Sequence, residues 1–255
     1  MEVVVVDSPG MLLADAVESL VRQSPSAVIG LATGSSPLPA YEELVRRHGV
    51  GAGPSYSGVR WFLLDEYVGL PPGHPQSYRA TIERDLTSAL GVTDVNAPDV
   101  HSDLTTAGAR YEESIQAAGG IDLQILGIGG DGHLAFNEPG SSLASSTRLK
   151  TLTARTRQDN ARFFGSADEV PHHVLTQGLG TILRARHLFL IADGTSKAAA
   201  VAAAVEGPVS ASCPASVLQL HPHATVLLDE SAASSLSRLD YYREVWAGKP
   251  DWQGL

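Results

Sequence analysis

The 255-residue sequence predicts an α/β fold: a mostly parallel, doubly wound sheet with helices on both faces, formed as a single domain over residues 1–255. Three observations predict it. Short runs that are apolar at successive positions alternate with helical patterns, as strands buried on both faces do. Hydrophobic residues make up 43% of the chain and charged residues 18%, with no low-complexity tract, so the chain is ordered and large enough for a substantial core. Neither an internal repeat nor a linker interrupts the alternation.

The elements follow in order. VVVV (3–6) precedes a helix over 11–21, with Leu12, Leu13, Val17 and Leu20 at helical spacing. AVIGLAT (27–33) precedes a helix over 37–48, where Pro37 suits the first helical position. VRWFLLDEY (59–67) reads as one strand before a helix near 76–90. A helix around 107–117 leads to IDLQILGIG (121–129). HLFLIAD (187–193) precedes a helix over 195–207, and ATVLLDE (224–230) leads to a last helix near 236–245. The stretch 139–178 breaks this rhythm: it is polar, rich in Ser, Thr and Arg, and has only a short helical piece. A long interruption of this kind is expected to be a lid or regulatory segment.

Composition narrows the function. No apolar run approaches bilayer length, and MEVVVVDSPG lacks the basic and hydrophobic regions of a secretory signal. The single cysteine, Cys213, excludes an intramolecular disulfide and a cysteine-based zinc cluster. The cytoplasm is therefore the expected location. A net charge of −10 argues against nucleic acid or an anionic membrane as partner. Only three lysines occur, Lys150, Lys197 and Lys249, and two of them lie beside other motif residues.

In open α/β sheets ligands bind beyond the carboxyl ends of the strands. Four stretches are expected there: Thr33–Ser36, Asp65–Tyr67, Gly129–His133 and Asp193–Lys197. GIGGDGHLAFNEPG (127–140) contains a G-x-G-x-x-G spacing. However, it runs into Pro139-Gly140 too soon for a crossover helix and lacks an acid about twenty residues on, which argues against a dinucleotide. Asp131, His133 and Glu138 have no second histidine at helical spacing, so no metal site is expected either. Two readings stay open: turn-capping carboxylates around a half-buried histidine, or a proton-transfer group. In the second, a carboxylate fixes the imidazole tautomer and glycines 127, 129, 130 and 132 admit a substrate. Gly34-Ser35-Ser36 before Pro37 reads as an anion-binding helix start or an ordinary cap, and Lys197 at another strand-to-helix turn as a second phosphate contact. Asp65-Glu66 is either a solvated turn or a desolvated, more basic carboxylate.

These residues resemble those of the glucosamine-6-phosphate deaminase family. The resemblance is carried by LATGSSPLPAYEELV (31–45), LLDEYVGLPPGHPQSY (63–78), ILGIGGDGHLAFNEPGSSLASSTRLKTLT (125–153), DNARFF (159–164), VLTQGLGTIL (174–183), GTSKAAAVAAAVEG (194–207) and LQLHPHATVLLDE (218–230). It implies a three-layer α/β/α, Rossmann-like fold. The implied reaction converts D-glucosamine 6-phosphate and water to D-fructose 6-phosphate and ammonia, in amino-sugar catabolism, with no cofactor and no metal. By motif, Asp65 resembles the base that moves the proton between C2 and C1. His133 resembles the ring-opening group, with Asp131 and Glu138 as its relay. Gly34, Ser35, Arg162 and Lys197 are implied to bind the phosphate.

Some members of the family are hexamers activated by N-acetylglucosamine 6-phosphate. The matching residues here are Ser141, Arg148, Lys150 and Thr151, with Tyr241 as the corresponding C-terminal aromatic. Two rivals share parts of the pattern: 6-phosphogluconolactonase, and a non-catalytic sugar-phosphate sensor. The continuation AFNEPGSS, which supplies Glu138, favours the deaminase over the lactonase. The four intact acid–base residues, and the lack of a basic helix-turn-helix segment, disfavour the sensor.

Overall fold

The computed structural model describes residues 1–255, the Asp251 side chain excepted. The chain runs β1 (Glu2–Val5), α1 (Pro9–Gln23), β2 (Val28–Leu31), α2 (Leu38–Gly49), β3 (Arg60–Leu63), β4 (Asp65–Val68) and α3 (Tyr78–Ile82). Helix α3 widens into a π-helical stretch over Glu83–Thr87, and β5 (Val95–Asn96), α4 (Leu104–Ala117) and β6 (Leu123–Leu126) follow. Next come β7 (Arg148–Thr151), α5 (Ala154–Asn160), β8 (His173–Thr176), α6 (Leu179–Ile182), β9 (His187–Ala192) and α7 (Ala198–Val205). The chain ends through β10 (Ala224–Leu228), α8 (Glu230–Ala233) and α9 (Leu239–Ala247).

Seven strands form one parallel sheet in the order β1-β10-β9-β6-β2-β3-β5. Every residue of β2, β6 and β10 is buried, so helices cover both faces, as continuous apolar runs require. On α1, Leu13, Ala14, Val17 and Val21 form the buried stripe, and Pro9 starts the helix where its missing N–H costs nothing. The fold class is the expected one.

Two local expectations need correction. VRWFLLDEY is two strands, not one. After Leu63 the chain leaves the parallel sheet, and β4 joins β8 and β7 in a three-stranded antiparallel sheet, order β4-β8-β7. The switch occurs at Leu64, whose N–H donates to the Leu31 carbonyl of the large sheet (3.3 Å). Its carbonyl accepts from the Gln177 N–H at the end of β8 (2.7 Å). The interruption at 139–178 also holds more than a short helix, because it supplies β7 and β8. In β7 only alternate residues are partly buried, a faint signal in a polar segment.

The small sheet is fixed to the large one by close backbone approach. A Cβ on Gly108 of α4 would lie 2.3 Å from the Thr147 carbonyl just before β7, and one on Gly178 would lie 2.1 Å from the Ser145 carbonyl. Glu112 of α4 accepts from the Thr147 N–H (2.7 Å) and from the hydroxyls of Thr147 and Thr181, so α4, β7 and α6 share one carboxylate. Because backbone cannot yield as a side-chain tip can, Gly108→Ala should cost about 1–3 kcal/mol. Gly49→Ala, at a position with open space around it, should leave the melting temperature nearly unchanged. Equal melting of the two variants in a thermal scan would refute the packing argument.

Candidate active site

The strands whose carboxyl ends carry the four predicted stretches are neighbours. β9, β6, β2 and β3 lie side by side and parallel, so Asp193–Lys197, Gly129–His133, Thr33–Ser36 and Asp65 emerge at one edge of the sheet. Sequence positions 160 residues apart meet there because the crossovers return every strand in the same direction.

Asp65 begins β4 just past the sheet switch and is buried. Burial, then the adjacent Glu66 charge, hold its carboxyl well above the usual range, and no hydrogen bond to it offsets them. Glu66 points its charge elsewhere. Its Oε1 accepts the N–H groups of Tyr67 and Tyr78, and its Oε2 that of Arg79, each at 2.9 Å, which ties β4 to the start of α3. Burial still raises the Glu66 carboxyl, against the pull of those three donors. Of the two carboxylates, Glu66 is committed to structure and Asp65 is left as the more basic group.

Asp131 and His133 meet as expected. Asp131 Oδ1 lies 2.6 Å from His133 Nδ1 and also accepts the His133 N–H at 3.1 Å. Partial burial pushes the Asp131 carboxyl up, but the His133 charge and hydrogen bonds outweigh it and hold it below its usual range. With Nδ1–H donated to a carboxylate, Nε2 is the nitrogen left to take a proton. Glu138 does not join this pair. Its Oε1 accepts from the hydroxyls of Thr156 and, at 3.4 Å, Thr153.

The glycines divide differently from expectation. A Cβ on Gly129 would fall 2.1 Å from the His133 ring, and one on Gly132 (φ +83°) 2.6 Å from Cys213 Sγ. These two make room for the protein's own side chains. Only Gly127 and Gly130 face open space.

Residues that sequence reasoning missed hold the 129–140 loop in place. Asn137, fully buried, donates from Nδ2 to the carbonyls of Leu134 (3.0 Å) and Gln177 (2.8 Å). Gln177 Nε2 donates to the Leu63 carbonyl (3.1 Å), and the Phe136 N–H to Thr176 Oγ1 (3.2 Å). Phe136 also packs against Tyr67 and Tyr78, with centroids 5.9 and 6.1 Å apart. Ala135 sits at φ +51°, the one non-glycine with positive φ among the described residues, inside the Leu134–Asn137 bridge. The Asn in FNEP, a side chain able to satisfy a turn backbone, was the available signal.

The predicted phosphate contacts are open and cationic. Gly34 has φ +109°, and Ser35 and Arg162 are exposed, with the guanidinium 4.7 Å over the Phe163 ring. Lys197 is half-buried; burial, then Arg162's charge, lower its ammonium, while Asp193 and Asp131 oppose them. Lys197 therefore feels the charges of both Arg162 and Asp131. Of the other lysines, Lys249 is tied to Glu2 at 2.7 Å. Among the described residues, Arg148, Lys150, Arg155, Arg157, Arg162 and Lys197 have no carboxylate partner, although acidic residues outnumber basic ones 28 to 18.

The predicted regulatory residues come together only in part. Arg148 and Lys150 lie two apart on β7 and so share a face; burial lowers the Arg148 guanidinium. Thr151 Oγ1 is 3.2 Å from His173 Nδ1, and Ser141 is buried with its hydroxyl unpartnered. Tyr241 is not brought to them: α9 packs on β1, at the opposite edge of the large sheet from β3 and β5. Among the described residues no group of three His, Cys, Asp or Glu is placed to hold a metal ion, and no helix is long and apolar enough to cross a membrane.

Against this geometry the comparisons are specific. The family model for glucosamine-6-phosphate isomerases/6-phosphogluconolactonase matches residues 4–227. The chain is 60% identical to a glucosamine-6-phosphate deaminase of Arthrobacter sp. (strain FB24) and 57% identical to one of Mycolicibacterium smegmatis, each over the full length of both proteins. It is similar in structure to a monomeric glucosamine-6-phosphate deaminase (TM-score 0.88, 38% identity, covering 92% of this chain and 100% of that one). A 6-phosphogluconolactonase from Trypanosoma cruzi shares the fold at 21% identity (TM-score 0.73, covering 92% and 97%).

The buried Asp65 has a stability consequence. Its folded value lies above the ordinary 3.8, so as pH rises from there the unfolded chain ionises first and the fold loses stability until the folded value is passed. Asp65→Asn removes this loss. The variant should melt higher than the parent at pH 7, by about 2–4 °C for each kcal/mol recovered, with the gap closing toward pH 4. A gap independent of pH would show that Asp65 is not held protonation-prone by burial.

Proposed function

The chain belongs to the glucosamine-6-phosphate isomerase/6-phosphogluconolactonase family, and from that premise we propose that it is a glucosamine-6-phosphate deaminase. The observation that carries this reading is full-length identity of 60% to a deaminase, in a chain that places Asp65, Asp131 and His133 at neighbouring strand ends. Likeness to the lactonases is at the level of fold, which does not by itself fix chemistry.

The chemistry proceeds from the substrate. A closed pyranose cannot enolise, so the ring must open first. His133, with Nδ1 held by Asp131, takes the hydroxyl proton at Nε2 and returns it to the ring oxygen; Glu138, held by Thr153 and Thr156 rather than by His133, is the further carboxylate assigned to the relay. Asp65, made basic by its burial, then removes the proton at C2 and delivers it to C1. The resulting ketose imine is hydrolysed by water, which gives fructose 6-phosphate and ammonia. Each well-placed proton transfer is worth roughly 10²–10⁴-fold. Gly34, Ser35, Arg162 and Lys197 hold the phosphate, so remote binding energy positions C1 and C2.

A second component of the reading is activation by N-acetylglucosamine 6-phosphate. It is supported by Arg148 and Lys150, two cations without a carboxylate partner on one face of β7. With Tyr241 remote in the same chain, that aromatic would contribute only from a second subunit of a hexamer. If so, the activator should left-shift the substrate saturation curve, and Lys150→Ala should abolish the shift without changing unactivated turnover. A curve insensitive to the activator would remove this component and leave the catalytic one intact.

The catalytic reading is tested with glucosamine 6-phosphate in D₂O. Ammonia release with deuterium in the fructose 6-phosphate is expected, and absence of ammonia, with activator present, would refute it. Asp65→Asn should abolish C2 proton exchange while binding stays near normal. Lys197→Ala should raise KM roughly tenfold to a hundredfold, the worth of about 1.5–3 kcal/mol for a charge-assisted contact.

A further inference from the structure

Two carboxylates flank His133 in sequence, but only Asp131 touches it. Glu138 is instead held by α5. Its Oε1 accepts from the Thr156 hydroxyl and, at 3.4 Å, from the Thr153 hydroxyl; the two hydroxyls are 2.9 Å apart. Thr153 also caps α5, accepting the Thr156 N–H at 3.1 Å, so the pair is oriented by the helix itself. The backbone on the other side is pinned: the Ser141 N–H donates to the Glu138 carbonyl (3.0 Å) and the Gly140 N–H to the Ala211 carbonyl (2.8 Å). The Glu138 side chain is thus the adjustable part, and α5, which has no buried residue, is the element that holds it.

We infer that Thr156 is a positioning residue for Glu138: its hydroxyl couples the orientation of the Glu138 carboxylate, on the same loop as His133, to the position of α5. The inference deepens the proposed function and rests on its assignment of Glu138 to the relay. Thr153 is the weaker partner, being the more distant and already engaged as a cap. A threonine rather than a lysine or arginine suits the role. A neutral donor orients the carboxylate without the strong charge pairing that would fix it as an ion pair. The neighbouring Arg155, exposed on the same helix, has no carboxylate partner among the described residues and leaves Glu138 to the hydroxyls.

The test compares Thr156→Val, Thr156→Ser, Glu138→Gln and the double variant Thr156→Val/Glu138→Gln, by steady-state kinetics and by amide hydrogen exchange of residues 154–163 without ligand. Thr156→Val should lower kcat about tenfold with KM within twofold, and Thr156→Ser, which keeps the hydroxyl, should restore it. The double variant should be no slower than Glu138→Gln alone, since both remove one link. Exchange in α5 should quicken equally in Thr156→Val and Glu138→Gln. Parental turnover in Thr156→Val, or a loss that adds to that of Glu138→Gln, overturns the inference. Should the parent release no ammonia, the proposed function falls, and exchange alone decides the link: shared acceleration sustains it and unchanged exchange refutes it.

Discussion

The site depends on one crossing of backbone hydrogen bonds. At Leu64 the chain gives its N–H to β2 and its carbonyl to the residue after β8, and so passes from a parallel sheet into an antiparallel one. Asp65 is buried because it is the first residue beyond that crossing. Gln177 serves the same point three ways: its N–H binds Leu64, its side chain binds Leu63, and its carbonyl accepts from Asn137 of the 129–140 loop. The carboxylate on β4 and the histidine on the loop after β6 are therefore referenced to one buried residue. Pre-organisation of this kind places acid–base groups on rigid elements, where small displacements are costly.

Charge is distributed by the same economy of means. Adjacent carboxylates at 65 and 66 are both raised by burial, yet three backbone donors converge on Glu66 and none on Asp65. Alternation along a strand sends them to opposite faces, so one chain step separates a carboxylate held by three donors from one held by none. The cations are arranged in the complementary way. Most arginines are consumed in ion pairs such as Arg47 with Glu43 and Asp15 (each 2.6 Å), whereas those between 148 and 162, with Lys197, have no carboxylate partner among the described residues. An acidic protein that binds a sugar phosphate has to reserve positive charge in this fashion.

The layout of the large sheet was legible because its strands are buried on both faces and its helices carry apolar stripes. The sheet switch was not. LLDEYV is apolar enough on either side of Leu64 to read as one strand, and the break comes from long-range partners, Leu31 and Gln177, which leave no local pattern. β7 was hidden by its polarity, since RLKT shows only alternate partial burial. The placement of Asp65, Asp131 and His133 at neighbouring strand ends was legible because residue type and turn position both pointed there. Asn137 and Gln177 were not, because a buried amide that satisfies carbonyls looks in sequence like any loop residue. The glycines of the GIGGDGH turn misled for a physical reason: sequence shows that space is needed but not what fills it, and at 129 and 132 the occupants are His133 and Cys213.

The frame and the chemistry are consequently separable. A lactonase at 21% identity shares the fold, and a shared fold does not by itself fix chemistry. Past the histidine, AFNEPG turns back and presents Glu138 to Thr153 and Thr156 instead of to His133. That contact joins the interruption at 139–178 to the loop carrying the acid–base pair. A segment that breaks the α/β rhythm in sequence thus supplies β8, which pairs with Asp65, and the threonines of α5 and its cap, which hold Glu138. Its polarity matches that placement: α5 has no buried residue, and hydroxyls that engage a carboxylate at the surface are not available to build core.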